Sequence, residues 1–412
     1  MTTTINNEHK KLNVPNKREQ NQTCLDSAER EGLSPKGNVP NLRFPEFQGE
    51  WEKCKLGDII NFSTTRVNSS ELNKDNYVST ENMLQDYQGI VKAKSVPEDV
   101  NVVSFSCDDI LISNIRPYLK KVWKATFNGG CSSDVFVLKA NDNIESDYLH
   151  YVIANDKFIN FVMSGAKGVK MPRGDKKQME TYSLSLPQIQ EQHKIARLLS
   201  LLDERISTQN KIIDKLQSLI KGIVDCTILR KEKNAIVGDV CSISEQIRAE
   251  ANIDDIITVR LHGNGVCKSS AENLQLGATQ YYRRRAGQLI YGKQNFHNGA
   301  IGIVPISLDN GITSKDIPSF DIDEMKCNSV YLLAQLQSPQ YYKPAEALTT
   351  GTGSKRLKEE TFLKMPIVLP NKREQDNIAV LIHRASMNLD HAKRLLELLS
   401  IQKQYLLRQM FI

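Results

Sequence analysis

The feature that most constrains this chain is a long internal repeat. Leu186-Pro187 and Glu191-Gln192 precede one long helical run, and Leu369-Pro370 and Glu374-Gln375 precede another, 183 positions later. Solenoid repeats recur about every 20–50 residues, so a repeat of this length is not a solenoid unit. The sequence therefore predicts two globular domains, each followed by a long helix. Two similar units can be related by an approximate twofold axis, which suits a target with two parts.

A second match lies upstream and extends the repeat over whole domains. Leu56-Gly57-Asp58-Ile59 corresponds to Val237-Gly238-Asp239-Val240. Residues 1–41 contain no aromatic residue and few large apolar ones, which is typical of a mobile tail. The predicted segments are this tail (1–41), a first recognition domain (42–186), a central spacer helix (187–232), a second domain (233–369) and a C-terminal spacer helix (370–412).

Composition excludes several classes of protein. The 412 residues are 40% hydrophobic and 25% charged, which is ordinary for a globular protein with two or three cores. No run of about 18 apolar residues predicts a membrane span, and the polar N-terminus does not resemble a secretory signal, so we expect a cytoplasmic protein. The eight cysteines lack C-x-x-C spacing, which argues against a zinc site or a disulfide framework. No metal site is predicted.

Both domains are predicted to be rich in short strands separated by turn residues. The expected strands are 77–80, 102–105, 110–112 and 135–138 in the first domain, and 256–259, 288–291 and 301–304 in the second. An amphipathic helix is expected over 147–162, with its counterpart opening at 330–334. The predicted fold class is α+β, with two β-rich α/β domains in a pseudo-twofold repeat.

The two long helices carry heptad seams. The first, over about 188–228, places Ile195, Leu199, Leu202, Ile206, Gln209, Ile213, Leu216, Ile220 and Ile223 at alternating steps of four and three. The second, over about 372–410, places Ile378, Ile382, Ala385, Leu389, Ala392, Leu396, Leu399, Lys403 and Leu406 in the same rhythm. A single stripe of this kind usually marks a helix in an ordinary core. Its length and repetition favour an antiparallel coiled coil, a spacer on the order of 60 Å long.

Two stretches without acidic residues point to a polyanionic ligand. The first, between Asp109 and Asp134, contains Arg116, Tyr118, Lys120, Lys121, Trp123 and Lys124; the second, between Glu272 and Asp309, contains Arg283, Arg284, Arg285, Tyr291, Lys293, Gln294, Asn295 and His297. Arg, Lys, Asn and Gln donate hydrogen bonds to phosphates and base edges. One such stretch is as easily a solvated basic face; two at matching positions favour nucleic acid.

A second pair of segments lies just before each Leu-Pro. The first (165–173) supplies Lys167, Lys170 and Arg173, and the second (350–356) supplies Gly351, Gly353, Ser354, Lys355 and Arg356. Glycine allows close approach of the backbone, and backbone N–H groups beside cations suit a phosphate. Neither segment has the G-x-x-x-x-G-K-[ST] pattern, so nucleotide binding is not predicted.

The sequence has no recognisable catalytic motif. G-x-S-x-G, H-E-x-x-H and a G-x-G-x-x-G after a strand are all missing. Glu324-Met325-Lys326 is an isolated E-x-K triplet of the kind found in some nuclease sites, and such a triplet arises easily by chance. The prediction is a non-catalytic protein.

Taken together, the two Leu-Pro-x-x-x-Glu-Gln helix starts, the Gly/Lys loops before them and the β-rich domains resemble the specificity subunit of bacterial type I restriction–modification systems. The segments 76–83 and 109–117, and Asn41-Leu42-Arg43-Phe44-Pro45 leading into Trp51, are similar to parts of its target-recognition domains. The resemblance covers about 42–412. It adds Ser79, Thr80, Asn82 and Asn114 to the candidate DNA contacts.

This resemblance implies a division of labour. Each domain would recognise one half of a bipartite, asymmetric double-stranded DNA site, and the paired helices would set the gap between the halves. Two adenine methyltransferase subunits and two restriction–translocation subunits would carry out methylation and cleavage. S-adenosylmethionine, ATP and Mg²⁺ would belong to those partners, with no cofactor in this chain and an association with the nucleoid through DNA.

Two other interpretations stay open from the residues alone. A coiled-coil scaffold joining two protein-binding domains explains the heptads but not the acid-free basic stretches. A stand-alone DNA enzyme using Glu324 would explain the basic stretches, but its motif is incomplete. Salt-sensitive DNA binding would distinguish the first from a DNA-recognition protein, and loss of activity on Glu324→Ala would support the second.

Overall fold

The computed structural model of this chain describes residues 37–168, 170–269, 279–351 and 355–412. The chain divides into two compact units: unit 1 runs to Arg205 and includes Leu399–Ile412, and unit 2 is Ile206–Leu398. Each unit thus holds one α+β domain and parts of both long helices. Among the described residues, neither the two long helices nor any shorter one contains the apolar stretch that a membrane-spanning helix needs.

Unit 1 contains two four-stranded sheets and a two-stranded pair. Its strands are β1 (Glu52–Lys55), β2 (Ile60–Phe62), β3 (Arg66–Asn68), β4 (Tyr77–Val78), β5 (Asn101–Phe105), β6 (Ile110–Ser113), β7 (Val122–Lys124), β8 (Gly129–Cys131), β9 (Val135–Ala140) and β10 (Ser183–Leu186). Its helices are α1 (Leu56–Ile59), α2 (Ser146–Ile153), α3 (Asp156–Ser164), α4 (Lys176–Glu180) and the first half of α5 (Ile189–Val224). The sheet orders are β2-β9-β6-β7 and β3-β5-β8-β4, with β1 paired to β10.

Unit 2 repeats much of this plan. Its strands are β11 (Ala235–Ile236), β12 (Cys241–Ile243), β13 (Arg248–Ala249), β14 (Ile257–Val259), β15 (Val266–Lys268), β16 (Tyr281–Arg284), β17 (Leu289–Tyr291), β18 (Ile301–Ile303), β19 (Gly311–Ser314), β20 (Ser319–Ile322) and β21 (Pro366–Ile367). Its helices are α6 (Ser329–Leu336), α7 (Pro339–Tyr342), α8 (Glu359–Leu363) and most of α9 (Lys372–Gln409). The order β12-β20-β17-β18 matches β2-β9-β6-β7, and β11-β21 matches β1-β10.

All seven predicted strands are confirmed, each within two residues of the expected bounds. The helix predicted over 147–162 is wrong in one respect, because it is two helices, α2 and α3. Asn155 separates them: its side chain accepts a hydrogen bond from the Lys157 backbone N–H at 3.0 Å and caps α3. An Asn side chain competes for backbone groups and therefore favours a new helix start over a continuous helix.

The heptad seams predicted on α5 and α9 are confirmed. Every seam residue from Ile195 to Ile223 and from Ile378 to Leu406 is buried or half-buried. Within unit 2 the Gln209 side chain donates to the Ala392 carbonyl at 3.0 Å, and Lys231 pairs with Glu374. Gln209 pairs with Ala392, whereas Lys231, later in the chain, pairs with Glu374, which is earlier in the chain than Ala392. The paired helices are therefore antiparallel.

The repeated Glu-Gln motif has a structural role. Gln192 accepts from the Glu145 N–H at 2.8 Å and donates to the carbonyls of Asn143 and Pro187. Gln375 makes the same three bonds to the Asn328 N–H, Lys326 and Pro370. Both glutamines are buried. Each one ties the start of a long helix to the cap of the helix that follows the sheet.

The folded part begins earlier than predicted. Asn38, which the sequence assigns to the tail over 1–41, accepts a hydrogen bond from Ser185 at 2.6 Å, and its carbonyl accepts from the Trp51 N–H at 2.8 Å. Arg43 forms a bidentate pair with the buried Glu191, at 2.7 and 2.8 Å. Residues 37–41 therefore belong to the domain of unit 1. Residues 1–36 lie outside the described residues.

Candidate nucleic-acid interface

Two loops meet in unit 1 and contain most of the basic residues predicted there. Loop B is 114–121, after β6; loop C is the described part of 166–174, after α3. The Asn114 carbonyl accepts from the Gly174 N–H at 3.0 Å, and the Arg116 N–H donates to the Pro172 carbonyl at 2.8 Å. Lys167 and Arg173 exchange two backbone hydrogen bonds, each 3.0 Å, that close loop C into a hairpin.

Unit 2 holds the equivalent pair. Its loop B is 292–299, after β17, and its loop C is the described part of 349–357. The Lys293 carbonyl accepts from the Leu357 N–H at 2.9 Å, as Asn114 accepts from Gly174. Thr350 and Arg356 exchange backbone hydrogen bonds of 3.1 and 3.0 Å, as Lys167 and Arg173 do.

An aspartate completes the same arrangement in each unit. In unit 1 the Asp134 carbonyl accepts from the Asn114 N–H at 2.7 Å, and its carboxylate lies 3.4 Å from Arg173. In unit 2 the Asp316 carbonyl accepts from the Lys293 N–H at 2.9 Å, and its carboxylate lies 3.3 Å from Arg356. Each unit therefore contains the same set of backbone hydrogen bonds among loop B, loop C and the aspartate, formed by a different sequence. We call this set the backbone frame.

Glycine is required at one matching position of this frame. Gly168 has a φ of +98° and Gly351 a φ of +127°. L-residues with a side chain rarely adopt these values, so glycine closes the hairpin in both units. Gly353 and Ser354, two further predicted contacts, lie outside the described residues.

The sequence predicts two basic stretches without acidic neighbours, and this prediction is wrong in the folded structure. The basic side chains of these stretches meet acids from outside them: Lys120–Asp156 at 2.8 Å, Lys124–Asp108 at 2.9 Å and Lys293–Glu359 at 2.6 Å. In loop C, Lys167 lies 3.2 Å from Asp175 and Lys355 lies 3.3 Å from Glu346. The hydrogen bond from Lys167 is the main reason that the pKa of Asp175 is lowered. A gap in acidic residues along the chain says nothing about acids that the fold brings from elsewhere.

Three predicted contacts are buried and committed to the protein itself. The Asn82 side chain accepts from the Ser79 N–H and donates to the carbonyls of Tyr77 and Val91. The Tyr291 hydroxyl donates to the Leu357 carbonyl at 3.1 Å. These are corrections, because a side chain with no exposed donor cannot contact DNA directly.

Arg284 is the third. It is fully buried and donates to Thr313 at 2.7 Å, to Ser319 at 3.0 Å and to the Ile317 carbonyl at 3.0 Å. Burial lowers the pKa of its guanidinium to about 10. Arg284 therefore supports the turn that carries Asp316 and does not face a ligand.

Lys293 is nearly enclosed as well, with 12% of its side chain exposed. Arg283 and Arg285, on either side of the buried Arg284 in the chain, are exposed. The structure therefore does not bring the three arginines together into one patch, because adjacent residues of a strand point to opposite faces.

The exposed predicted contacts of loops B and C differ between the units. In unit 1 they are Arg116, Tyr118, Lys167, Lys170 and Arg173; in unit 2 they are Gln294, Asn295, Gly351, Lys355 and Arg356. Arg116 holds a left-handed backbone conformation at φ 50°. Its charge, together with burial as the larger cause, lowers the pKa of the adjacent Lys121.

Several predicted residues have mixed roles. Lys121 donates to the Thr80 carbonyl at 2.6 Å, which joins segment 79–82 to loop B. Ser79 is half-buried, and its hydroxyl lies 3.2 Å from Asn82 Oδ1. Asn114 Oδ1 and His297 Nδ1 are buried with no hydrogen-bond partner in the part of the chain that the structure describes.

One loop in each unit escaped the sequence prediction. Loop A is 84–89 in unit 1, where the N–H groups of Asp86 and Tyr87 donate to the carbonyls of Leu119 and Lys120. In unit 2 it is 260–265, where the N–H groups of His262 and Gly263 donate to Asn298 and Gly299. The polar, glycine-containing composition of both segments marked them only as turns.

The described residues contain no group of three or more His, Cys, Asp or Glu side chains that could hold a metal ion. The arrangement of exposed amides, cations and backbone N–H groups can donate hydrogen bonds to phosphates and to base edges.

Comparisons with known proteins identify relatives of this chain. Residues 48–218 match a family model described as the type I restriction modification DNA specificity domain. The chain is 23% identical over 374 residues to the type I restriction enzyme MjaVIII specificity subunit of Methanocaldococcus jannaschii, covering 82% of this chain and 86% of that relative. It is 28% identical over 127 residues to the EcoDI specificity subunit of Escherichia coli, covering 31% of this chain and 28% of that relative.

A solved structure shares the fold. The S subunit of a type I restriction–modification system from M. genitalium superposes with a TM-score of 0.62 at 13% identity, covering 91% of this chain and 99% of that one. At this level of identity the likeness concerns the fold.

Proposed function

Because this chain belongs to the family of type I restriction–modification DNA specificity subunits, we propose that it recognises a bipartite, asymmetric DNA site and directs partner subunits to it. One observation carries this proposal. The two units build the same backbone frame but present different exposed side chains on it, Arg116 and Tyr118 in one and Gln294 and Asn295 in the other. Identical frames with different side chains suit two half-sites of different sequence.

Charge distribution within loop C supports phosphate contact. The Lys167 side chain is 83% exposed and that of Lys355 is 60% exposed, and each pairs with one acid. Such surface ion pairs contribute roughly 0–1 kcal/mol, so a phosphate can replace the acid at little cost. These lysines would hold the DNA backbone while loop B faces the base edges.

The catalytic work falls to other subunits. The family is non-catalytic in itself, and association with DNA and with restriction–modification partners follows from membership. We infer two adenine methyltransferase subunits and two restriction–translocase subunits in the complete assembly. S-adenosylmethionine, ATP and Mg²⁺ would be bound by those partners, with no cofactor held by this chain.

The paired helices are proposed to set the gap between half-sites. Their seam is continuous in sequence, and polar seam residues make specific bonds: Lys403 to Asp203 at 2.5 Å in unit 1 and Gln209 to Ala392 at 3.0 Å in unit 2. Polar groups at seam positions help to specify register. A spacer of defined register would keep the gap constant.

The direct test is methylome sequencing of a methylation-free bacterial host that expresses this chain with its partner methyltransferase subunit. The expected result is a bipartite asymmetric motif with N6-methyladenine in each half. Absence of any motif despite co-purification of the methyltransferase subunit would overturn DNA recognition and favour a scaffold.

Single substitutions would assign the halves. Arg116→Ala should relax one position in one half-site, and Asn295→Ala one position in the other, each by about 1–3 kcal/mol of discrimination. Lys355→Ala should instead weaken binding to all sequences and lower the salt dependence by about one unit. Equal losses on every DNA sequence for all three variants would contradict base contacts by Arg116 and Asn295.

A further inference from the structure

Loop A packs on loop B through the same pair of consecutive hydrogen bonds in both units. In unit 1 the bonds from Asp86 and Tyr87 measure 3.1 and 3.0 Å, and in unit 2 those from His262 and Gly263 measure 2.8 and 2.9 Å. A Cβ placed on Gly299 would lie 3.1 Å from the Gly263 nitrogen, which shows how closely the two backbones approach. Loop A is thus part of the repeated frame.

The contact is kept although it needs unfavourable backbone conformations. Asp86 and Tyr87 have φ values of 52° and 62°, and Lys120, which faces them on loop B, has 53°. In unit 2 His262 has a φ of 59°. Non-glycine residues with such values are sparse and cluster at functional sites, where the surroundings hold them in place.

The anchoring residue of loop A in unit 1 is Tyr87. Its hydroxyl lies 3.3 Å from Asp156, and Lys120 sits over its ring at 6.0 Å. Because Tyr87 is held from two sides, the exposed Gln85 and Gln88 beside it are presented from a fixed position. A side chain on a fixed backbone loses little freedom when it binds.

The anchor in unit 2 is different, but the result is similar. Arg260 is exposed, and its Nε donates to Cys267 Sγ at 3.0 Å. This bond leaves its two terminal nitrogens without a hydrogen bond among the described residues. Asn264, at the other end of the loop, is exposed as well.

We propose that loop A is a second base-contacting element in each unit, beside loop B. Gln85 and Gln88 contact adenine through the amide, and Arg260 contacts guanine through its two terminal nitrogens, with Asn264 on a neighbouring base pair. Amides pair with adenine N6 and N7, and arginine pairs with guanine O6 and N7. The loops differ in sequence between the units, as recognition of two different half-sites requires.

This inference rests on the proposed DNA recognition, and its test separates the two. The full chain with its methyltransferase subunit is expressed as wild type, Gln88→Ala, Arg260→Ala and Arg260→Gln, and the methylome is sequenced. Gln88→Ala should lower discrimination at one position of one half-site about 5- to 150-fold, and Arg260→Ala should do so in the other half-site. Arg260→Gln should shift the preferred base from guanine towards adenine.

Matched controls are exposed residues of the same types outside the loops. Gln48→Ala in unit 1 and Arg373→Ala in unit 2 should leave both half-sites unchanged. If the wild type yields a motif and the loop A variants methylate the same motif with equal selectivity, loop A has no base-contacting role. If the wild type yields no motif, the proposed function itself fails. A melting temperature equal to that of the wild type confirms that each variant is folded.

Discussion

His150 illustrates, at the residue scale, how burial sets a pH limit. It is half-buried, with its Nδ1 shielded from solvent. Burial lowers its pKa from 6.5 to about 4, with Lys403 and Lys124 adding to the decrease and Asp203 and Asp147 opposing it. The unfolded chain therefore binds a proton between pH 6.5 and 4 that the folded chain does not bind. His150 therefore does not reduce the free energy of unfolding above pH 6.5, and it reduces this free energy progressively as the pH falls from 6.5 towards 4.

We therefore expect acidification to destabilise the protein through this residue. Lowering the pH from 7.5 to 5 should reduce the free energy of unfolding by about 2 kcal/mol through His150. Urea unfolding of the wild type and of His150→Gln at both pH values measures it, because the difference between the two proteins removes the contribution of other titrating groups. An equal pH dependence in both would mean that His150 is not the responsible residue.

For Gln192 we predict an effect on stability and not on DNA recognition. Its removal leaves the Glu145 N–H and the Asn143 and Pro187 carbonyls without this partner, in a partly buried place. Gln192→Ala should lower the free energy of unfolding by about 1–3 kcal/mol. Gln190→Ala, at an exposed position of the same helix, should change it by less than about 0.5 kcal/mol. Chemical denaturation compares the free energies of unfolding of the two variants. Similar small losses in both would contradict the structural role of the three Gln192 hydrogen bonds.

At the element scale, α5 separates a buried seam from an exposed face. Leu199 is fully buried, whereas Leu201 two residues later is 41% exposed. Leu199→Ala should destabilise unit 1 by about 2–5 kcal/mol through lost burial and a cavity. Leu201→Ala should cost about 1 kcal/mol or less. Thermal unfolding distinguishes them, and equal losses would mean that the seam does not carry the packing.

The short elements of the sheets show how far local patterns reach. Alternation and β-branched residues located Ile110–Ser113 and Leu289–Tyr291 well. The break between α2 and α3 was missed because the apolar face continues across it, while the capping bond of Asn155 depends on one side-chain oxygen. Periodicity reports which face is buried, and it does not report whether the backbone is continuous.

At the scale of the whole molecule, the proposed spacer can be lengthened. Insertion of four helix-forming residues after Gln209 adds about 6 Å of helix. Since a base pair occupies ~3.4 Å, the gap in the methylated motif should grow by about one or two base pairs while both half-sites keep their sequence. Methylome sequencing measures the gap.

The control for that insertion is the same four residues placed after the exposed Asn310, in the turn before β19. This change lies outside the spacer and should leave the gap as it is in the wild type. An unchanged gap in the helix insertion as well would show that the helices do not act as a ruler.

The sequence by itself determined the two-domain repeat, both heptad seams and the position of loops B and C, because these depend on periodic or locally repeated residues. It could not determine that Asn82, Arg284 and Tyr291 are committed to internal bonds, since their partners Val91, Ile317 and Leu357 become neighbours only in the fold. It also missed loop A and the acids that pair with the basic loops. Those features depend on long-range contacts, and only the tertiary structure brings such residues together.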